Sequence, residues 1–136
     1  MPFVLDCSVA LAWVLPDENS PEADVLAERL FLDTALVPPV WSLEVGNVLL
    51  VAVRRKRITR EECLQFLSQL KALPIQIDVE STAQALGETL ALAERFDLTT
   101  YDASYLELSK RRNFALATLD NKLRQACRAA GVAVLP

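Results

Sequence analysis

The sequence predicts an α/β fold in which helices cover both faces of a mostly parallel five-stranded sheet. Five short apolar segments alternate with helical segments along the chain, and such strands are typical of parallel sheets that are buried on both faces. Only three glycines occur among the 136 residues, and no repeat or Gly/Ser-rich linker divides them. We therefore expect a three-layer sandwich that forms a single domain over residues 1–136.

The first strand and the first two helices are indicated by apolar runs and helix-start signals. Phe3 to Leu5 forms a short apolar strand, and Ser8 to Leu15 has the apolar density of a buried helix that ends before Pro16. A second helix begins at Pro21, because Ser20 is a favourable N-cap and proline suits the first helical position.

Prolines and a capping box mark the next three elements. Ala35 to Val37 has the composition of a second strand and is followed by two prolines. Val40 to about Lys56 forms a long apolar helix. Thr59 and Glu62 have the spacing of a capping box, so another helix begins there and ends near Leu73.

The same alternation continues to the end of the chain, where Gly131 provides a helix stop before the last strand. The predicted elements are a strand at Ile75 to Val79, a helix capped by Ser81 with Gln84 and ending near Arg95, a helix opened by Thr99 with Asp102 and ending near Arg112, a strand at Phe114 to Leu119, a helix at Asn121 to Ala130, and a strand at Val132 to Leu135.

The composition excludes several kinds of active site. The chain contains no histidine, which removes the usual general base, all Ser-His-Asp and Cys-His arrangements, and most zinc sites. Cys7, Cys63 and Cys127 are widely spaced and form no C-x-x-C pattern, so we interpret them as reduced core residues. A net charge of -4 argues against a globally basic nucleic-acid-binding protein, although it leaves a local basic patch open.

The hydrophobic content indicates contact with a partner protein rather than with a membrane. Hydrophobic residues make up 52% of the chain, and the mean hydropathy is +0.24, which leaves apolar surface for a partner. The longest apolar run, Val48 to Val53, is too short to cross a bilayer, and the N-terminus lacks a signal-peptide pattern. We expect a cytoplasmic protein.

Four carboxylates fall where a parallel sheet gathers side chains at one edge. Asp6 and Asp120 follow the first and fourth strands, Glu44 lies one turn into the helix after the second strand, and Asp102 opens the helix that leads to the fourth. Because all strands of a parallel sheet end at the same edge, these acids are expected to converge there.

Carboxylates that lie this close together repel each other, so we expect a bound cation to stabilise them. Two carboxylates about 4 Å apart repel by roughly 4 kcal/mol at an effective dielectric near 20, whereas a helix N-terminus offsets only about 0.3 to 1 kcal/mol. Oxygen ligands without histidine or cysteine favour Mg²⁺ or Mn²⁺ over zinc, and Mg²⁺ in open sites usually acts on phosphates.

Each acid also has a purely structural interpretation. Asp6 and Asp120 suit helix N-caps, and Asp102 suits the acidic position of a capping box with Thr99. Glu44 interrupts a very apolar helix, so it is either an exposed residue or a buried carboxylate that is costly without a partner. Taken singly, each acid is explained by a role in local structure. Only the predicted convergence of the four acids favours a role in catalysis.

The basic residues are divided between two ends of the fold. The runs Arg54 to Arg57 and Lys110 to Arg112 fall at helix C-termini, away from the acids, and are interpreted as solvated ends. Lys122, Arg124 and Arg128 begin nearer the acidic edge, where they suit either phosphate contacts or a solvated helix face.

Five motifs in a fixed order resemble a known family. The segments LDCS, PPVWSLEVGNVL, LTTYDASYLELS, ALATLDNKL and AGVAVLP resemble PIN domains of the VapC type, the toxin half of bacterial and archaeal toxin-antitoxin pairs. The resemblance covers nearly the whole chain. It implies a PIN-like fold and a Mg²⁺- or Mn²⁺-dependent endoribonuclease, with RNA as substrate, a cognate antitoxin as partner, and a homodimer as the assembly.

The resemblance also implies roles for individual residues. The acids would bind the metal and carry catalysis, since a metal-activated water needs no histidine, while neighbouring polar groups would hold the acids or water in place. Asn121 stands where some relatives have a further acid. By position, the acidic quartet is Asp6, Glu44, Asp102 and Asp120, and the supporting polar residues are Ser8, Asn47, Thr118 and Asn121.

Two other classes of protein share parts of this pattern. A receiver-like signalling domain also gathers acids and Mg²⁺ at a sheet edge, but it would have a lysine after its last strand, where this chain has Leu135 and Pro136. A non-catalytic interaction module would keep the fold and the apolar surface while losing acids, yet all four acids are present. Both remain as alternatives.

Overall fold

A computed structural model describes all residues from 1 to 136 and confirms the predicted α/β fold. Five parallel strands form one sheet in the order β3-β2-β1-β4-β5, and eight helices surround it. The elements are β1 (Phe3–Leu5), α1 (Cys7–Ala12), α2 (Pro21–Arg29), β2 (Ala35–Val37), α3 (Val40–Arg54), α4 (Arg60–Ala72), β3 (Ile75–Ile77), α5 (Ser81–Gln84), α6 (Glu88–Phe96), α7 (Thr100–Arg112), β4 (Leu116–Ala117), α8 (Asn121–Ala129) and β5 (Val134–Leu135).

The central strand β1 determines where the core lies. All three of its residues are fully buried, as expected for a strand with neighbours on both sides and helices on both faces. Val4 pairs with Leu36 on one side and with Leu116 on the other. The carboxyl ends of β1 and β4 therefore lie side by side, which places the residues that follow them at one edge.

Most predicted helix starts are confirmed by their capping contacts. The Ser20 hydroxyl accepts a hydrogen bond from the Ala23 amide at 3.3 Å. Thr59 and Glu62 form a complete capping box, in which each side chain accepts from the other residue's amide. These local contacts satisfy amides that have no partner within the helix.

The predicted single helix from Ser81 to Arg95 is wrong, because the structure has two helices, α5 and α6, separated at Gly87. Gly87 has φ −116° and ψ −103°, outside the helical region. Ser81 does not cap α5 either. It lies inside the helix and donates its hydroxyl to the Asp78 carboxylate at 2.8 Å, a short-range bond that competes with capping.

The predicted fourth strand is also too long at both ends. Its observed part, Leu116–Ala117, ends where the chain turns toward the site, and the Leu119 amide donates to the Ser8 hydroxyl instead of to a strand. The predicted third and fifth strands are likewise shortened, to Ile75–Ile77 and Val134–Leu135.

The prediction that the basic run at the end of α7 is solvated is wrong for Arg111. Its guanidinium is only 20% exposed and donates to Asp78 at 2.6 Å, to Glu107 at 2.7 Å and to Glu80 at 3.1 Å. Three carboxylates from two parts of the chain thus share one cation, and this ties the C-terminal end of α7 to the segment that follows β3.

The apolar side chains form one buried cluster around the sheet. The three cysteines are free thiols, and Cys127 is buried within this cluster. None of the helices combines the length and hydropathy that crossing a bilayer requires.

Candidate active site

Asp6 is the most buried of the four acids and lies directly after β1. Its side chain is 4% exposed, and one oxygen, Oδ2, accepts hydrogen bonds from the hydroxyls of Ser8 and Thr118, each at 2.7 Å. Asp6 occupies an N-cap position, yet its side chain makes no capping hydrogen bond. The N-cap interpretation is therefore wrong for this residue, because its carboxylate is held by side-chain hydroxyls and makes no capping bond to a backbone amide of α1.

Ser8 and Thr118 have their hydroxyl protons directed at Asp6. The Ser8 oxygen accepts from the Leu119 amide at 3.0 Å, and the Thr118 oxygen accepts from the Asp120 amide at 3.1 Å. Because these amides can only donate, each hydroxyl must use its single proton elsewhere, and Asp6 is the acceptor. The segments that follow β1 and β4 are therefore joined through Oδ2 of Asp6.

Glu44 is half-buried on α3 and is hydrogen-bonded from another helix. The hydroxyl of Tyr105, on α7, donates to Glu44 Oε1. Burial and the surrounding carboxylates raise the pKa of the Tyr105 phenol, so it stays protonated and acts as a donor. The apolar helix α3 therefore carries neither a simply exposed glutamate nor an unpaired buried one.

Asp102 shows only half of the contact expected from a capping box. The Thr99 hydroxyl accepts from the Asp102 amide at 3.1 Å, so Thr99 caps α7. No return bond joins the Asp102 carboxylate to the Thr99 amide, unlike the complete box at Thr59 and Glu62. The predicted capping-box role of the Asp102 carboxylate is wrong, and that carboxylate remains available at the N-terminal end of α7.

Asp120 does act as a helix cap. Its Oδ1 accepts from the amides of Lys122 and Leu123, at 2.9 and 3.3 Å. Its other oxygen, Oδ2, accepts from neither amide. The cap fixes the carboxylate at the start of α8, directly after the hydroxyl of Thr118.

The pKa values of three acids show that the group shares one electrostatic environment. Burial is the largest cause of the raised pKa of Asp6, Glu44 and Asp102. The charge of Asp120 raises the pKa of Asp6, while Asp6 and Asp102 raise that of Glu44. Each of these three acids thus has its pKa raised by at least one other member of the group, as expected for carboxylates that lie at one edge.

Compensating positive charge near these acids is scarce. Lys122 is the one cation that lowers the pKa of Asp102, and the opposing effects of burial, Asp6 and Asp120 are larger. Lys122 itself lies 3.5 Å from Asp97. Arg124, a predicted candidate for phosphate contacts, instead donates to the backbone oxygens of Thr118 and Pro136, so its charge is directed at the chain's own carbonyl groups.

The donors at this edge suit a hard divalent cation. No three acids lie close enough to form a ready-made metal site, so an ion held here would keep several water ligands, as Mg²⁺ usually does. The donors are carboxylates without imidazole, and oxygens Oδ1 of Asp6 and Oδ2 of Asp120 are free of the hydroxyl and cap contacts described above. This chemistry fits Mg²⁺ or Mn²⁺.

Asn47 and Asn121 are exposed, and the structure gives neither side chain a hydrogen bond to an acid. Their supporting role stays a prediction. Sequence reasoning missed Tyr105, although a signal was present. It follows Asp102 by three residues on the same helix, a spacing that brings both side chains to one face.

The chain is similar to known proteins along nearly its whole length. The sequence profile of the PIN domain family matches residues 3–129, which defines the class of protein. Ribonuclease VapC3 from Pyrobaculum aerophilum is 30% identical over 126 residues, covering 92% of this chain and 94% of that protein. This chain therefore belongs to the PIN domain family, as a member of the VapC type.

Solved structures share the fold at lower sequence identity. PAE2754 from Pyrobaculum aerophilum has a TM-score of 0.71 at 22% identity, over 98% of this chain and 83% of that one. VapBC2 from Rickettsia felis, bound to a DNA fragment from their promoter, has a TM-score of 0.67 at 14% identity, over 98% and 97%. FitAcB from Neisseria gonorrhoeae has a TM-score of 0.63 at 15% identity, over 100% and 97%.

Proposed function

We propose that this chain is a Mg²⁺- or Mn²⁺-dependent endoribonuclease and the toxin of a type II toxin-antitoxin system. The observation that carries the proposal is the group of four carboxylates at the carboxyl edge of the sheet, three of which have a pKa raised by burial and by other members of the group, with little compensating positive charge. Family membership supports the same function, since the curated relative is a ribonuclease.

The residues of the site have different roles in the proposed phosphodiester hydrolysis. Bound Mg²⁺ or Mn²⁺ supplies positive charge that neutralises the scissile phosphate and activates water. We assign Asp6, Asp102 and Asp120 to holding the ion, directly or through water. Glu44 holds the ion or orients the attacking water. Ser8 and Thr118 keep the Asp6 carboxylate in one orientation through their directed hydroxyl protons.

We also propose that the chain forms a cytoplasmic homodimer and binds a small antitoxin protein. Large apolar side chains lie on its surface, among them Phe31 at 87%, Leu32 at 90% and Leu86 at 90% exposure. Exposed apolar groups of this size are typical of protein contact surfaces. The VapBC2 structure from Rickettsia felis supports the antitoxin as the kind of partner.

The function is tested by incubating the protein with labelled RNA and Mn²⁺, with and without excess EDTA. We expect internal cleavage that EDTA abolishes and that Asp6→Asn removes. The matched control is Glu28→Gln, because Glu28 is an exposed acid in the last turn of α2, where the chain leads into the start of β2, and its side chain makes no ion pair. Undiminished cleavage in EDTA would contradict metal dependence, and binding of Mg²⁺ without any cleavage would favour a receiver-like domain. Absence of both would favour a non-catalytic interaction module.

A further inference from the structure

We propose that Tyr105 is a positioning residue, which fixes the Glu44 carboxylate in the orientation that metal binding and cleavage require. The role rests on the proposed ribonuclease function and extends it to a residue outside the acidic quartet. Tyr105 acts through Glu44, which accepts its hydroxyl proton.

The contact joins two helices that are far apart in sequence. Tyr105 is completely buried on α7, and its hydroxyl donates to Oε1 of Glu44 on α3, 61 residues away along the chain. Glu44 is only half-buried, so without this bond its carboxylate is free to turn toward solvent.

The hydroxyl of Tyr105 has no role in packing. Its neighbours Leu106 and Leu108 on α7 are also fully buried, and a phenylalanine would fill the same space in this apolar core. A buried hydroxyl without a partner is costly, and Glu44 is the one side chain that Tyr105 hydrogen-bonds. We therefore attribute the presence of a hydroxyl at position 105 to its hydrogen bond with the Glu44 carboxylate.

The ring of Tyr105 makes it a precise donor. A glutamate side chain has several rotatable bonds, whereas a tyrosine ring enclosed by the core is held in place, so the donor selects the orientation of the acceptor. The bond engages Oε1 and leaves Oε2 of Glu44 without a hydrogen bond. Because Asp102 lies three residues earlier on α7, one rigid helix presents one acid and orients another.

The experiment compares Tyr105→Phe with Tyr101→Phe, using the whole chain. Tyr101 is the matched control, since it lies one turn earlier on α7, is largely exposed and donates no side-chain hydrogen bond. Calorimetric titration with Mn²⁺ alone measures affinity without RNA, and RNA cleavage is measured across Mn²⁺ concentrations. We expect Tyr105→Phe to weaken Mn²⁺ binding by about 10- to 100-fold, with cleavage partly restored at high Mn²⁺. Tyr101→Phe should match the unmodified protein.

A double-mutant comparison shows whether Tyr105 acts through Glu44. If it does, Tyr105→Phe should cause little further loss when added to Glu44→Gln. A full additional loss would overturn the proposal. So would wild-type Mn²⁺ affinity and cleavage in Tyr105→Phe, or a Tyr105→Phe protein that fails to fold while Tyr101→Phe folds, since the hydroxyl would then serve stability. If the unmodified chain neither binds Mn²⁺ nor cleaves RNA, the proposed function fails together with this role.

Discussion

Asp6 and Thr118, which are 112 residues apart in sequence, are joined by a 2.7 Å hydrogen bond that closes the carboxyl edge of the sheet. The bond is possible because β1 and β4 are adjacent parallel strands whose ends lie side by side. Thr118 also accepts from the Asp120 amide. One hydroxyl thus links the first acid of the chain to the backbone of the last.

The first prediction concerns this hydroxyl. Thr118→Val keeps the side-chain shape, but it removes a donor from Asp6 and leaves the Asp120 amide without its acceptor. We expect a loss of about 1 to 3 kcal/mol in the free energy of unfolding, measured by urea denaturation in EDTA, together with weaker Mn²⁺ binding.

Thr89→Val is the matched control for that experiment. Thr89 is also buried, but its hydroxyl has no hydrogen-bond partner. Removal of an unpartnered buried hydroxyl should leave stability unchanged or increase it. Equal losses in the two variants would show that the Thr118 contacts contribute nothing specific.

The second prediction concerns Asp102, whose carboxylate has neither a capping contact nor a hydroxyl partner. Asp102→Asn preserves shape and removes a charge that faces Asp6 and Asp120. Cleavage should therefore be abolished, while the metal-free protein should melt at the same or a higher temperature. Paired thermal melts in EDTA and cleavage assays in Mn²⁺ test this. A variant that loses activity only by unfolding would count against a catalytic role for Asp102.

The third prediction is a pH dependence of metal-free stability. Burial is the main cause of the raised pKa of Asp6 in the folded protein. Between the ordinary carboxyl pKa near 4 and this raised value, the folded state holds more protons than the unfolded chain. The free energy of unfolding contributed by Asp6 therefore falls as pH rises through that window.

Asp6→Asn cannot titrate, so it isolates this contribution. The difference in stability, variant minus unmodified protein, should grow as pH rises from 4 toward neutrality and then level off. Urea denaturation in EDTA at several pH values measures it. A difference that stays constant with pH would show that the Asp6 pKa is the same in the folded and unfolded states.

The fourth prediction concerns RNA binding by Lys122. This side chain is exposed and close enough to Asp102 to lower its pKa, so it is placed to contact a phosphate of bound RNA. Lys122→Gln should raise KM with little change in kcat and should reduce the salt dependence of binding by about one unit of slope. Arg128, another candidate from the sequence for phosphate contacts, is exposed in the last turn of α8, at the end away from the acids, so Arg128→Gln should change neither quantity. An unchanged KM in Lys122→Gln would remove Lys122 from the RNA surface.

The sequence was sufficient to predict which acids share an edge, because all strands of a parallel sheet end at the same edge, whatever their order and side-chain contacts. Asp6 follows β1 and Asp120 follows β4, and the pKa effects between them agree with that placement. The start of α7 was also predictable, since Thr99 accepts from a nearby amide.

Contacts between distant segments were beyond sequence reasoning. The spacing of Tyr105 from Asp102 places it on the face of α7 that carries the acid, but nothing local indicates that its hydroxyl donates to Glu44, 61 residues away. Arg111 looks like a solvated helix end until the segment after β3 brings Asp78 to it. The local capping pattern at Ser81 gives no sign of the break at Gly87, whose φ and ψ lie outside the helical region.

The shortness of the outer strands has a consequence for how the protein associates. β3 has three residues and β5 has two, so each open edge of the sheet offers very few unpaired backbone groups to another strand. Short edge strands are one means by which proteins avoid sheet-to-sheet aggregation. Association of this chain with a second copy or another protein is therefore expected to occur through exposed apolar side chains such as Leu86, and not by extension of the sheet.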